Sequence, residues 1–159
     1  MDTGLLVVIE VMLRVALGLR LLGSGISNVR RWPHAVGTAK VVFAKGTKFF
    51  ALMAVAFMVL GGFGVAAGFH TRIAALMIVL FLIPTFIIIR GHLRTYPKMQ
   101  EKVLGSLPEN GPIDEAQRLG RAAIHASETS WQANLIFLLL ALYFMIRGSV
   151  AFGLDNLLG

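Results

Sequence analysis

Two opposite charges stand one helical turn apart inside an apolar run: Glu10 and Arg14 in LLVVIEVMLRVALGLR, residues 5–20. At positions i and i+4 they point to one side of a helix, about 40° apart, and Glu before Arg is the favourable order. If the run crosses a bilayer, Arg14 lies about 13 Å from Leu5, near the middle of a hydrocarbon core about 30 Å thick. A charge at that depth costs about 2.5–3.5 kcal/mol on insertion scales, and an ion pair with Glu10 offsets part of this. Ionisable groups in such places serve a ligand or proton path, fix helix packing, or meet another subunit. The residues leave these three readings open. In the functional one, Glu10 accepts or relays a proton and Arg14 orients a polar group of a ligand. Arg20 leaves another face nearer the interface, from which it can snorkel to water.

The remaining candidates point to less chemistry. The four histidines are His34, His70, His92 and His125. None has metal-ligand spacing, and haem in a bundle would need axial histidines at membrane depth. His34 and His92 follow two apolar runs on one side and could line a quinone or headgroup pocket; the plainer reading is two interfacial histidines. Ser24 and Asn28, one turn apart, suit bonds across helices. GGFGVAAG, residues 61–68, begins like a dinucleotide loop but lies inside an apolar run, not a βαβ unit. Its Gly64 and Gly68 have the spacing that lets helices approach closely. No Ser–His–Asp set or phosphate loop is present. The chain has no cysteine, which excludes disulfides, thiol chemistry and iron–sulfur ligation by its own side chains.

The elements that must carry these residues are membrane helices. Of 159 residues 57% are hydrophobic and 14% charged, with a mean hydropathy of +0.77, against about 45–50% and about 25% in soluble domains. Four apolar runs qualify as spans: 5–29, 49–68, 73–89 and 131–146. The reading is a single-domain four-helix membrane bundle over residues 1–159. Pro84 in the third run predicts a kink. No basic residue precedes the first run, so it reads as a retained span, not a cleaved signal. The net charge of +7 resides mainly in residues 30–48 and 90–130, as membrane topology places it, and does not indicate nucleic acid. The positive-inside rule puts both segments in the cytoplasm and both termini outside.

The connection 91–130 contains NGPIDEAQRLGRAAIHAS, which reads as a short helix. Asn110 or Gly111 suits its cap, Pro112 its first turn, and Asp114 and Glu115 the positive end of its dipole. Ile113, Ala116, Leu119, Ala123 and Ile124 fall near one face. The helix lies in the membrane interface or packs on a partner; both remain open. Trp32, Tyr96 and Trp131 suit an interfacial belt.

MLRVALGLRLLGSGISNVRRWP resembles the first-span signature of the DoxX family of small four-span membrane proteins, at Leu13, Arg14, Gly18, Leu22, Ser24, Gly25 and Pro33. GFHTRIAAL, residues 68–76, resembles that family's turn between spans two and three, with Thr71 and Arg72 in place. His92 stands where many members have a histidine. GSVAFGLDNLL resembles the family's close, with Asp155 aligned. Two features depart from the pattern: AVAFMVLGG in span two lacks the acid that many members carry there, and residues 93–130 form a longer insertion.

The resemblance implies a bacterial or archaeal inner-membrane protein, since the family takes its name from a sulfur-oxidising, quinone-reducing system. The leading expectation is a subunit of a redox complex acting at the quinone pool, with other membrane subunits as partners. Glu10 and Arg14 are then the candidate reactive pair, and Arg14, Ser24, Arg72 and His92 the candidate quinone or lipid contacts. A quinone is the implied cofactor; haem, iron–sulfur clusters and metals are not expected. The alternatives are a non-catalytic accessory subunit and, from a distant cargo-receptor branch sharing the fold, a carrier for a lipid-like molecule.

Overall fold

A computed structural model describes residues 3–108, 111–149 and 151–158. Among them every regular element is helical: α1 Thr3–Arg30, α2 Trp32–Lys40, α3 Thr47–Ala67, α4 Thr71–Ser106, α5 Ile113–Arg147 and α6 Asp155–Leu158. α1 packs on α3, α3 on α4 and α4 on α5, with a lighter contact between α1 and α5 closing the set. The core is aliphatic and small, with Leu17, Leu21, Val65, Ile78, Leu82 and Phe144 at its centre. Large apolar side chains such as Leu19, Leu60, Phe63, Ile83 and Leu139 face outward instead. That distribution suits lipid around the helices. Three helices, α3, α4 and α5, are long and apolar enough to cross a membrane. α1 is also long, at 28 residues, but it carries Glu10, Arg14 and Arg20.

Close approach between α1 and α3 depends on glycine. A Cβ at Gly18 would lie 2.5 Å from both the Ala66 nitrogen and the Gly62 oxygen, and one at Gly62 would meet the Leu22 nitrogen at 2.7 Å. The two backbones therefore touch, as small residues permit in membrane bundles. The Gly64–Gly68 spacing does something else. Gly64 packs against Ala74 of α4, and Gly68 ends α3 in the left-handed region.

Several boundaries differ from those expected of the sequence. Helix α2 lies between the first two apolar runs, where no element was expected, and Pro33 stands in its first turn. α4 runs through Pro84 and on through Pro97, past Arg90 where the apolar run ends. Residues after Pro112 do not form the separate short helix expected: they are the first half of α5, which continues unbroken into the last apolar run. Its start has no side-chain cap: the Ala116 amide donates to the Pro112 carbonyl at 3.1 Å, and Gly111 bonds back to Pro108. Asn110, the other expected cap, lies outside the described residues.

Candidate functional site

One end of the bundle gathers three sequence-distant pieces. α3 stops because Gly68 adopts φ 66° and ψ 37°, a conformation that glycine takes without penalty. The Gly68 and Phe69 amides return to the carbonyls of Val65 and Gly64 at 3.2 and 2.8 Å, closing the helix. His70 is also left-handed, at φ 42°, and Thr71 begins α4. The first amides of a helix have no partner within it. Asp155 supplies one from 84 residues away: its Oδ1 accepts from the His70 amide at 2.7 Å, and its Oδ2 from the Thr71 amide and hydroxyl at 3.1 and 3.0 Å. Burial alone would raise the Asp155 carboxyl, but these hydrogen bonds outweigh it and hold its pKa below the ordinary aspartate value.

Arg14 fastens the same segment from the other side. Its side chain is 2% exposed. Nη1 donates to the Ser149 hydroxyl and to the Ala151 carbonyl at 3.2 Å, and Nη2 donates to the Phe152 carbonyl at 2.9 Å. The Ser149 hydroxyl donates onward to Asn156 Oδ1 at 3.1 Å. A Cβ on Gly68 would lie 2.6 Å from Gly153 Cα and 2.8 Å from Arg14 Nη1. Glycine is thus required at 68 by space as well as by φ.

The expected Glu10–Arg14 pair is not what these residues form. Glu10 accepts from the Tyr143 hydroxyl at 3.2 Å and pairs with Arg147 Nε at 3.4 Å, both on α5. Arg14 turns instead to the irregular segment after α5, whose carbonyls lack helical partners. A guanidinium has five donors, and one carboxylate on its own helix satisfies fewer of them than three acceptors converging from 149–152. Its Nε is buried with no partner among the described residues. Arg72 is exposed and lines an open cavity of about 370 Å³ with His70, Arg147 and Ser149. Ser24 lies elsewhere, accepting from Arg20 Nη1 at 2.5 Å.

The other end of the bundle is built differently. Two adjoining cavities, of about 230 and 400 Å³, share Phe43, Phe50, Ala54, Phe81 and Pro84 as walls. The smaller reaches Asn28, His34, Thr38 and Thr85; the larger is bounded by aliphatic residues including Leu80, Ile83 and Ile87. Leu80, Ile83 and Ile87 are also exposed on the outer surface, so the apolar cavity borders the lipid-facing side. Phe43 and Phe50 stack at 3.8 Å with their planes 8° apart. The Asn28 amide nitrogen contacts Met58 sulfur at 3.5 Å. A cavity with polar residues in its lining thus stands beside an apolar one that borders the lipid-facing side.

His92 does not join His34 here. It stacks on Tyr96 at 5.0 Å and lines a separate space of about 220 Å³ between α4 and α5, with Ser127 and Ser130. Of the sequence candidates, Glu10, Arg14 and Arg72 therefore all lie at the turn end but each with different partners, while Ser24 and His92 stand apart from them and from each other. The residues missed by sequence reasoning are Tyr143, Arg147 and Ser149 at the turn end, and the phenylalanines around Ala54 at the other.

No curated protein and no solved structure matches the chain. The family model for DoxX matches residues 9–91, just over half of its length. That stretch includes Arg14, both glycines of the α1–α3 contact and the Thr71–Arg72 turn, and the chain is a membrane protein belonging to the DoxX family.

Proposed function

We propose that the chain is a four-span inner-membrane subunit of a redox complex working at the quinone pool, and that the quinone sits in the paired cavities around Ala54. The observation that carries this reading is their polarity gradient: His34, Thr38 and Asn28 at one end, aliphatic lipid-facing walls at the other. In this reading α1 is the fourth span, with its two deepest charges partnered by α5 and the segment after it. The basic segments 30–48 and 90–130 lie in the cytoplasm and the termini outside.

The chemistry assigned to the chain's own residues is binding. His34 presents a ring N–H to a quinone carbonyl, the Thr38 hydroxyl being held by the His34 backbone carbonyl at 3.0 Å, and Phe43, Phe50 and Phe81 flank the ring. A quinone bound there would supply two-electron, two-proton redox capacity. With no cysteine to hold a cluster, the reading assigns electron delivery to another subunit. Glu10 is engaged by Tyr143 and Arg147 at the opposite end, so this placement of the quinone gives it no proton to carry.

The accessory reading has its own support, in that Arg14 and Asp155 both act as fasteners of the C-terminal segment. One experiment separates the two. The protein is purified in mild detergent from its own membranes and its lipid extract analysed for quinone. The proposal expects quinone in near-stoichiometric amount, lost in Ala54→Phe and reduced in His34→Ala, with thermal unfolding unchanged. A folded wild-type protein that carries no quinone and takes none up on reconstitution contradicts the proposal and leaves the accessory role.

A further inference from the structure

Beyond the bilayer the chain carries an arm. α4 has 36 residues, about 54 Å at about 1.5 Å each, against a hydrocarbon core of about 30 Å. Its excess runs beside the first half of α5. The two are joined by a hydrogen bond from Gln100 to the Gln117 carbonyl at 3.3 Å, and Gly120 leaves room for the Gln100 side chain. Arg90, Arg94, Lys98 and Lys102 follow one another at intervals of four along this arm, all exposed. Each step turns about 40°, so they form one slanting row on the side of α4 away from Gln100. Glu101 stands at its edge, and no ion pair engages the row among the described residues.

Two observations say what the row meets. Lys102 is twelve residues past Arg90, about 18 Å further along the axis, whereas the headgroup layer is about 5–8 Å deep. Arg90 can reach phosphates; Lys102 cannot. At the same height the arm exposes Met99, Val103 and Leu119, the last at 74%, around an apolar groove of about 280 Å³. Lys102 and Met99 are about 60° apart around the helix, so charge and apolar surface adjoin. Lipid tails do not cover apolar residues at that height, and such adjoining patches mark protein contacts.

We infer that the arm, residues 90–106 of α4 with 113–123 of α5, docks an acidic surface of a water-soluble protein, with carboxylates on Lys98 and Lys102 and an apolar side chain against Met99, Val103 and Leu119. The inference does not depend on what occupies the cavities around Ala54.

The test uses carbodiimide coupling, which joins a lysine amine to a touching carboxylate with no spacer, applied to native membranes containing the full chain. The expected products link Lys98 or Lys102 to Asp or Glu of a different polypeptide. Their yield falls about tenfold when salt is raised to about 0.5 M before coupling, as a screened charge contact requires. Co-purification of the coupled polypeptide falls likewise in Lys98→Gln with Lys102→Gln, exposed changes that leave thermal unfolding unchanged. Three results would overturn the inference. One is coupling only to carboxylates of a second copy of this chain. Another is protection of both lysines from acetylation by nanodiscs of anionic lipid alone. The third is equal acetylation in native membranes and in nanodiscs of neutral lipid.

Discussion

The two ends of the bundle use their side chains in opposite ways. At the turn end, strongly polar groups from α1, the α3–α4 turn and the chain's last residues are turned toward one another. Arg14, Asp155, Thr71 and Ser149 bond within the protein, and the open cavity beside them is walled by Arg72, Arg147 and Asp155. At the basic end, residues of little chemical distinction (Ala54, Pro84 and three phenylalanines) leave space between them. A buried arginine with several acceptors fixes structure; a gap with a polar mouth admits a ligand. The difference teaches that charge inside an apolar run identifies where the fold is fastened, here at the end of the bundle rather than mid-membrane, and the proposed ligand is placed among uncharged residues.

The largest expected effect falls on the fastener. Arg14→Ala removes hydrogen bonds to two backbone carbonyls and a hydroxyl; at about 1.5–3 kcal/mol for a bond to a charged donor, the loss is about 3 kcal/mol or more. A lowered unfolding temperature in detergent, with the segment after Arg147 newly open to protease, is the expected result. Bound quinone should persist in the molecules that remain folded. If the variant instead unfolds as the wild type does but loses its quinone, the contrast between the two ends breaks.

Asp155 sharpens it at smaller scale. Asp155→Ala takes away the acceptor of the first α4 amides, a change worth about 0.5–2 kcal/mol in helix caps. Because the folded carboxyl titrates below its ordinary value, the unfolded chain takes up the proton first as pH falls. The stabilisation is therefore full above about pH 4 and declines as pH drops through and below that value. Unfolding temperatures measured from pH 6 to pH 3 should fall for the wild type and fall less for Asp155→Asn.

Glu10→Gln has the smallest expected effect. Its partner Arg147 is 53% exposed, and pairs of that kind contribute about 0–1 kcal/mol. A shift in unfolding temperature near the error of the measurement, with quinone retained, is the expected outcome. Loss of quinone from this variant would return the reactive role to the turn end.

The sequence was informative where one segment decides its own structure. Apolar length marks the cores of α3, α4 and α5, and the family-like pieces at Arg14, Thr71–Arg72 and Asp155 do come together. It was uninformative about where α4 and α5 reach beyond the apolar runs. Hydropathy drops at Arg90, yet RGHLRTYPKMQEKVLG contains enough helix formers to continue. Nor did spacing reveal the true partner of Arg14, because i and i+4 neighbours on one helix compete with acceptors 135–138 residues away. The cavities were illegible for a related reason. They arise from what four helices, α1 to α4, and the α2–α3 connection fail to fill, which no local pattern of Ala54, Phe43 or Phe81 encodes.

The most direct measurement of which end holds the ligand is photolabelling with an azido-quinone in native membranes, followed by peptide mapping. The account predicts label on residues 34–54 and 81–88, competed by excess unlabelled quinone. Competable label on residues 70–72 or 147–155, with the region around Ala54 unmodified, would contradict it.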